Sequence, residues 1–397
     1  MKDTRKHCSS WLWIAVLCIP SMLWANPSND VTNHALNSMV PAAPQVNSKA
    51  YILLEANSDQ VLAEKNADEV LPPASLTKVM TMYIASEALK NGQISPTDKV
   101  HISKKAWKAE GARMFVKPGS DVEIQTLING IVIASGNDAT IALAEHIAGS
   151  EESFADMMNM TAKRLGMEHS HFVNATGLPH KDHYTTARDL SILAKAVIRD
   201  FPEEYHIYKQ KWIEYNHIKQ PNRNRLLWRN NKVDGMKTGH TDEAGYCLIA
   251  AAKDGAMRLI NVQLGAPSDS ARTNSTQAVL TWGMRFYETK LLHSVLNKVA
   301  KVRVWGGSYK YTPIGLQEDL YVTIPKGQSS AVKLEPHIAA TTNAPLQKDQ
   351  PFGSVDVKLG EQVLTTKPLH TLAENTAGSL WQRSTDKVAA LWYQFTA

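Results

Sequence analysis

Pro72-Pro73-Ala74-Ser75-Leu76-Thr77-Lys78-Val79-Met80-Thr81 is the stretch on which the reading of this chain turns. Two prolines punctuate the backbone, and the residues after them suit a helix over 75–90, halted near Asn91-Gly92. Ser75 and Lys78 then stand three apart at its start, on one face, so the amine can reach the hydroxyl. The helix N-terminus carries positive potential and free N–H groups, which favour a developing oxyanion and lower the pKa of a nearby lysine. An amine perturbed in this way is neutral enough to act as general base for a serine nucleophile.

Alone, this spacing decides nothing, because Ser330–Lys333 and Ser384–Lys387 share it. Its company decides. Ser135-Gly136-Asn137 lies between two runs with helical periodicity, and Lys237-Thr238-Gly239 opens a pair of predicted strands. The order Ser-x-x-Lys, Ser-x-Asn, Lys-Thr-Gly is a signature of serine acyl transfer, and each residue has a task. Ser75 is the nucleophile, Lys78 its base, and the Ser135 hydroxyl the donor that protonates a leaving amine. Asn137 offers donor and acceptor to a substrate amide. Lys237 places positive charge beside a substrate carboxylate. Thr238 and Gly239 leave a strand edge on which an extended peptide can pair. Backbone N–H groups of Ser75 and His240 would form the oxyanion hole.

Working outward, short apolar runs at 51–54 and 61–62 flank Asn57-Ser58-Asp59 and predict a hairpin. Helices are expected over 122–134, 138–148, 153–165 and 186–198. Strands follow over 246–252 and 258–264, separated by Lys253-Asp254-Gly255, and then a helix over 275–288. Strands, a helical insert, further strands and a closing helix make a mixed α/β domain over 45–292. Beyond it, runs at 299–304, 320–324 and 355–359 predict a small all-β domain over 293–376. In 377–397, Leu380, Trp381, Val388, Leu391, Trp392 and Phe395 gather within about 120° of a helical wheel. Gln382, Arg383, Asp386, Lys387 and Gln394 fall opposite, and the two faces suit a helix lying in a membrane surface.

The N-terminus adds a location. Lys2, Arg5 and Lys6 precede an apolar run over 11–19 and Pro20, the order of a secretory signal over 1–25, with a flexible lead-in over 26–44. That run is shorter than the roughly 20 residues a membrane span requires. Cys8 and Cys18 would leave with the signal, so Cys247 remains as a lone, buried thiol and no intramolecular disulfide forms. With 397 residues, 43% of them hydrophobic, the chain can support two domains with sizeable cores. A net charge of +5, with both signs interspersed, suits an anionic surface and carries no basic block for nucleic acid. His169-x-His171 and His180-x-x-His183 fall in a turn-rich stretch, read as solvated loop rather than a metal site, and no HExxH is present. Gly235–Gly239 is followed by His240 rather than lysine, so it is no phosphate loop.

With these residues in place, the chain resembles the low-molecular-mass penicillin-binding proteins that act as D-alanyl-D-alanine carboxypeptidases. PPASLTKVMT, LINGIVIASGNDA, GLPHKDHYTTARDL, NRNRLLW, VDGMKTGHTDEAGYCL and LTWGMRFYET all carry the likeness. The resemblance implies a β-lactamase/transpeptidase-like catalytic domain, with an antiparallel sheet flanked by helices and a helical subdomain. It implies an acyl-enzyme on Ser75, substrate stems ending in D-Ala-D-Ala, covalent inhibition by β-lactam antibiotics, and no cofactor. It also implies a periplasmic enzyme held on the outer face of the inner membrane by its C-terminal helix. Arg272 matches an arginine that helps bind the terminal carboxylate, and Arg223 a basic residue near the site. Two departures bear on substrate preference: residues 271–275 lack acidic side chains, and Ala112 stands where many members have Ser. A serine β-lactamase shares the scaffold, but no Glu-x-x-x-Asn lies between Asn137 and Lys237. An endopeptidase or transpeptidase would use the same acyl-enzyme. A wall-binding scaffold without turnover would be expected to have lost a motif residue, and none is lost.

Overall fold

The computed structural model of the protein describes residues 40–396. The expected signal over 1–25, with Cys8 and Cys18, and most of the lead-in lie outside the described residues, as do the side chains of Gln394 and Phe395.

The catalytic domain is built on a five-stranded antiparallel sheet. Its strands are β1 (Ala50–Glu55), β2 (Gln60–Lys65), β3 (Val233–Thr241), β4 (Gly245–Asp254) and β5 (Met257–Ala266), in the order β2-β1-β5-β4-β3. Alternate residues of each strand serve two separate cores. Ile52, Ile249, Ala251, Ile260 and Val262 pack into the larger one, toward the helical insert. Leu53, Leu248, Ala250 and Leu259 pack into the smaller one. The insert carries α1 (Lys78–Lys90), α2 (Asn137–Ala148), α3 (Glu151–Leu165) and α4 (Ala187–Asp200). On the other face lies α5 (Asp269–Phe286), whose Val279, Leu280 and Trp282 fill the smaller core. At Gly283 a Cβ would stand 2.9 Å from Leu53 Cδ2 and 3.0 Å from Leu259 Cδ1, so this glycine lets the helix close on the sheet.

Helix α5 begins at Asp269, capped by the Ser268 side chain on Ala271 N, well before the expected start at 275. That places Arg272 inside a helix. The expected helix over 122–134 is instead a strand Asp121–Glu123, a helix Ile124–Asn129 and a π-turn Gly130–Ala134. A hairpin of Trp212–Tyr215 and Ile218–Pro221 was not anticipated.

Helix α5 runs directly into the strand Tyr287–His293, which pairs with Leu320–Pro325. A six-stranded sheet completes the β-rich part around Val302, Val304, Ile314, Val355, Val357 and Leu369. The joint between the two parts is polar. Ser58 Oγ lies 2.7 Å from Thr323 Oγ1, Thr289 Oγ1 lies 2.8 Å from it, and the buried Glu55 carboxylate accepts from Ser58 N at 2.8 Å. Last comes α6 (Leu380–Thr396), fastened by its polar face. Asp386 accepts from Arg303 Nη2 and from Gly306 N, each at 2.8 Å. Leu380, Trp381, Val388 and Leu391 stay exposed on it. Among the described residues, no helix is long and apolar enough to cross a membrane.

Candidate active site

Ser75 sits in a 3-10 turn, Ala74–Thr77, that leads into α1. Lys78, the first residue of α1, is fully buried; its Nζ donates to Ser75 Oγ at 2.9 Å and to the Thr176 carbonyl at 2.7 Å. Burial, followed by repulsion from Arg223, lowers the pKa of its amine from 10.5 to about 7. A base of that strength, bonded to the hydroxyl, can take its proton at neutral pH.

Ser135 ends the π-turn in the left-handed region, at φ +62°, and Gly136 caps α2. A Cβ on Gly136 would meet Asp138 Oδ1 at 2.8 Å and Met114 N at 3.0 Å, so no larger residue fits there. Asp138 holds the adjoining loop: its Oδ1 accepts from Met114 N, its Oδ2 from Phe115 N and Val116 N. Asn137 Nδ2 donates to the Glu110 carbonyl at 2.6 Å, while its buried Oδ1 has no partner among the described residues. A buried acceptor left open beside a cleft is suited to a substrate N–H.

Lys237 comes from β3, the edge strand of the sheet. Its buried Nζ donates to Ser135 Oγ and to the Thr238 carbonyl, both at 2.9 Å. Burial, and then the charges of Lys78, Arg223 and Arg272, push its pKa well below the ordinary lysine range. A Cβ on Gly239 would stand 3.1 Å from Ser75 N and from the Pro73 carbonyl, so glycine lets the strand pass against the nucleophile's turn. The His240 ring stacks on Tyr246 at a centroid distance of 4.0 Å. Arg272 Nη1 donates to the carbonyls of Gly239 and Cys247, each at 3.1 Å, and its guanidinium pairs with Asp269.

Ser75, Ser135, Asn137, Thr238, Gly239, His240 and Arg272 line one cleft of about 640 Å³. Lys78 and Lys237 lie behind it, each bonded to one of the two serines. All the residues singled out from sequence therefore converge. Arg223 is also on the wall, and so are Arg225 and Asp269, which went unanticipated. Asp269 pairs with both Arg225 and Arg272, and supplies the acidic partner that residues 271–275 lack. Cys247 is fully buried, with its thiol pushed up to about 11 by desolvation, in keeping with an inert packing residue. His183 departs from expectation: it is buried rather than solvated, with Nε2 2.9 Å from Thr77 Oγ1. A loop reading from composition alone could not foresee that the loop packs on α1.

A serine bonded to a buried, weakly basic lysine, beside a second Ser–Lys pair and a free strand edge, defines a serine acyl-transfer enzyme of the Ser–Lys type. Comparison with known proteins narrows the class. Residues 37–268 match the D-alanyl-D-alanine carboxypeptidase family, peptidase S11, and residues 287–376 match the C-terminal domain of penicillin-binding protein 5. The chain belongs to this carboxypeptidase family. It is 44% identical over 365 residues to the D-alanyl-D-alanine carboxypeptidase DacC of Escherichia coli K12, covering 89% of this chain and 90% of that one. With DacA of the same organism the identity is 39% over 368 residues, 91% of each chain. Among solved structures, penicillin-binding protein 5 from Haemophilus influenzae is similar at a TM-score of 0.81 and 38% identity, covering 85% of this chain and 99% of that one. Penicillin-binding protein D2 from Listeria monocytogenes, solved in its ampicillin-bound form, matches at a TM-score of 0.57 and 29% identity, covering 62% of this chain and all of that one.

Proposed function

We propose that this chain removes the terminal D-alanine from peptidoglycan stem peptides through an acyl-enzyme on Ser75. The observation that carries the reading is the 2.9 Å bond from the buried Lys78 amine to Ser75 Oγ, with the pKa of that amine near 7.

Lys78 Nζ takes the Ser75 proton as Oγ attacks the carbonyl of the penultimate D-Ala. The oxyanion forms against the N–H groups of Ser75 and His240. Ser135 gives its proton to the leaving D-alanine amine as the peptide bond breaks, and Lys237 replaces that proton. Lys78 passes the proton it took from Ser75 to the Ser135–Lys237 pair and is neutral again; it then takes a proton from the water that attacks the ester, and returns that proton to Ser75 Oγ as the shortened stem leaves. Asn137 holds the stem amide, the stem pairs along Thr238 and Gly239, and Lys237 and Arg272 receive the terminal carboxylate. Burial and neighbouring cations disfavour the Lys237 proton, and an arriving carboxylate opposes them, so substrate binding itself restores the positive charge.

β-Lactams fit the same reading as covalent inhibitors acylating Ser75. The sequence supports export, with 1–25 as signal and 26–44 as lead-in, to the periplasm. It supports a catalytic domain over 45–292, a β-rich domain over 293–376 and a membrane-associating helix over 377–397. The exposed apolar face of α6 favours peripheral attachment to the outer face of the inner membrane.

The test is release of D-alanine from a peptide ending in D-Ala-D-Ala, by the protein and by Ser75→Ala. The protein should release it, and the variant should lose about 10³-fold or more. Equal release by both would remove Ser75 from the mechanism. No release by a folded, penicillin-labelled protein would remove the carboxypeptidase reading.

A further inference from the structure

We propose that His183 is a positioning residue for acylation: through Thr77 it holds the Ala74 carbonyl, and so fixes the turn that presents Ser75 to Lys78. The inference rests on the reading of Ser75 as nucleophile and goes beyond it.

The proton inventory sets the direction of a relay. Val173 N–H donates to His183 Nδ1 at 3.2 Å, so Nδ1 carries no proton. The ring proton is therefore on Nε2 and goes to Thr77 Oγ1 at 2.9 Å. The Thr77 hydroxyl is then left with its own proton, which it donates to the Ala74 carbonyl at 2.8 Å. His183 and Thr77 are buried, so water does not compete for these bonds. The ring is held edge-on against Phe172, at a centroid distance of 5.6 Å. Burial, with Lys78, His171 and His180 nearby, pushes its pKa down to about 4, so the neutral ring keeps this arrangement at physiological pH.

The relay ends on a backbone that needs holding. Ala74 has φ +48°, a left-handed conformation that an L-residue other than glycine adopts at a cost. Its carbonyl also lies against Gly177, where a Cβ would stand only 1.8 Å from the oxygen, so glycine is what lets the two backbones come this close. Ala74 directly precedes Ser75, and Thr77 directly precedes Lys78. The relay thus touches the residue before each reacting side chain. The segment that donates to His183 continues to Thr176, whose carbonyl receives Lys78 Nζ at 2.7 Å. One packed loop therefore sets the turn, the hydroxyl and the amine together.

The experiment follows acylation of Ser75 by a fluorescent penicillin, separating affinity of the initial complex from the maximal acylation rate. It compares the full chain with His183→Leu, Thr77→Val, the double variant, and the conservative His183→Gln and Thr77→Ser. Gln keeps an N–H where Nε2 was, and Ser keeps the hydroxyl. The two disruptive variants should lose about tenfold or more in maximal rate, the order expected for sub-ångström misplacement of a reacting atom, with initial affinity within about twofold. The double variant should be no slower than the worse single one, and both conservative variants should recover most of the rate. Unchanged rates in folded His183→Leu and Thr77→Val would overturn the proposal. So would losses that the conservative variants share and that follow melting temperature alone. If His183→Leu does not fold, the near-isosteric Thr77→Val against Thr77→Ser decides. Failure of the wild-type chain to acylate at Ser75 would instead overturn the reading of the site.

Discussion

A lysine in water keeps its proton to about pH 10.5, and Lys78 releases it at about 7 because burial, helped by Arg223, disfavours the charge. The identical spacing at Ser330–Lys333 and Ser384–Lys387 leaves serine and lysine exposed in both cases, so those amines stay solvated and have no reason to be basic catalysts. Sequence spacing put the right atoms near each other three times; burial chose among them, and burial depends on contacts far along the chain. The Lys78 shift predicts a pH profile. The base must be free, so the second-order rate of acylation by a labelled penicillin should climb about tenfold per pH unit below 7 and level off above it. A rate flat between about pH 5.5 and 8.5 would show that Lys78 is not the base. The same shift has a consequence for stability. Between about 7 and 10.5 the unfolded chain holds the proton that the folded chain has released. Rising pH across that window therefore favours the folded state through this group, and falling pH through 7 removes the last of the gain. Asn137 and Gly136 were legible for a different reason: their motif is local. Asp138, next in sequence and anchoring three backbone N–H groups of the 114–116 segment, was not, because the loop it holds is remote in sequence.

Elements with strong periodicity are legible in the sequence. The helix expected over 138–148 is Asn137–Ala148, and the strands expected over 246–252 and 258–264 are the cores of Gly245–Asp254 and Met257–Ala266. Elements whose ends depend on polar capping are not. Helix α5 opens with Asp269-Ser270-Ala271-Arg272-Thr273-Asn274, which carries no apolar stripe, and its start is set by the Ser268 cap. The π-turn Gly130–Ala134 was missed because it is apolar throughout and fully buried, so periodicity had no contrast to report. Helix α6 was legible from its stripe. The structure adds that the polar side faces the β-rich part through Asp386, which leaves Leu380, Trp381, Val388 and Leu391 outward. A docked helix would have turned that face inward. The full chain should therefore float with anionic lipid vesicles, and a chain lacking 377–397 should not, while D-alanine release from a soluble peptide stays within about twofold. Equal flotation of both would place any membrane contact elsewhere.

Across the whole molecule, the two parts were visible as a change from mixed elements to short strands after α5, and the structure makes that change at Phe286–Tyr287, without a linker. The direct helix-to-strand passage and the Ser58, Thr289 and Thr323 contacts tie the β-rich part to the hairpin end of the sheet. The cleft is the opposite case. Its wall draws on residues 75, 111–112, 135 and 137, 176–178, 221–228, 238–241, 246 and 269–272, segments that only the folded sheet and insert bring together. Motif order exposed three of these segments. Thr176, Arg225, Asp269 and the buried His183 carried no local signal, since each acts through a contact across the fold. This assembly makes Ser75 the acylated residue. The most direct measurement is to label the protein with penicillin, digest it, and locate the penicilloyl group by peptide mass. One stoichiometric adduct should appear on Ser75 and be absent from Ser75→Ala. An adduct on Ser135, Ser330 or Ser384, or equal labelling of the variant, would contradict it.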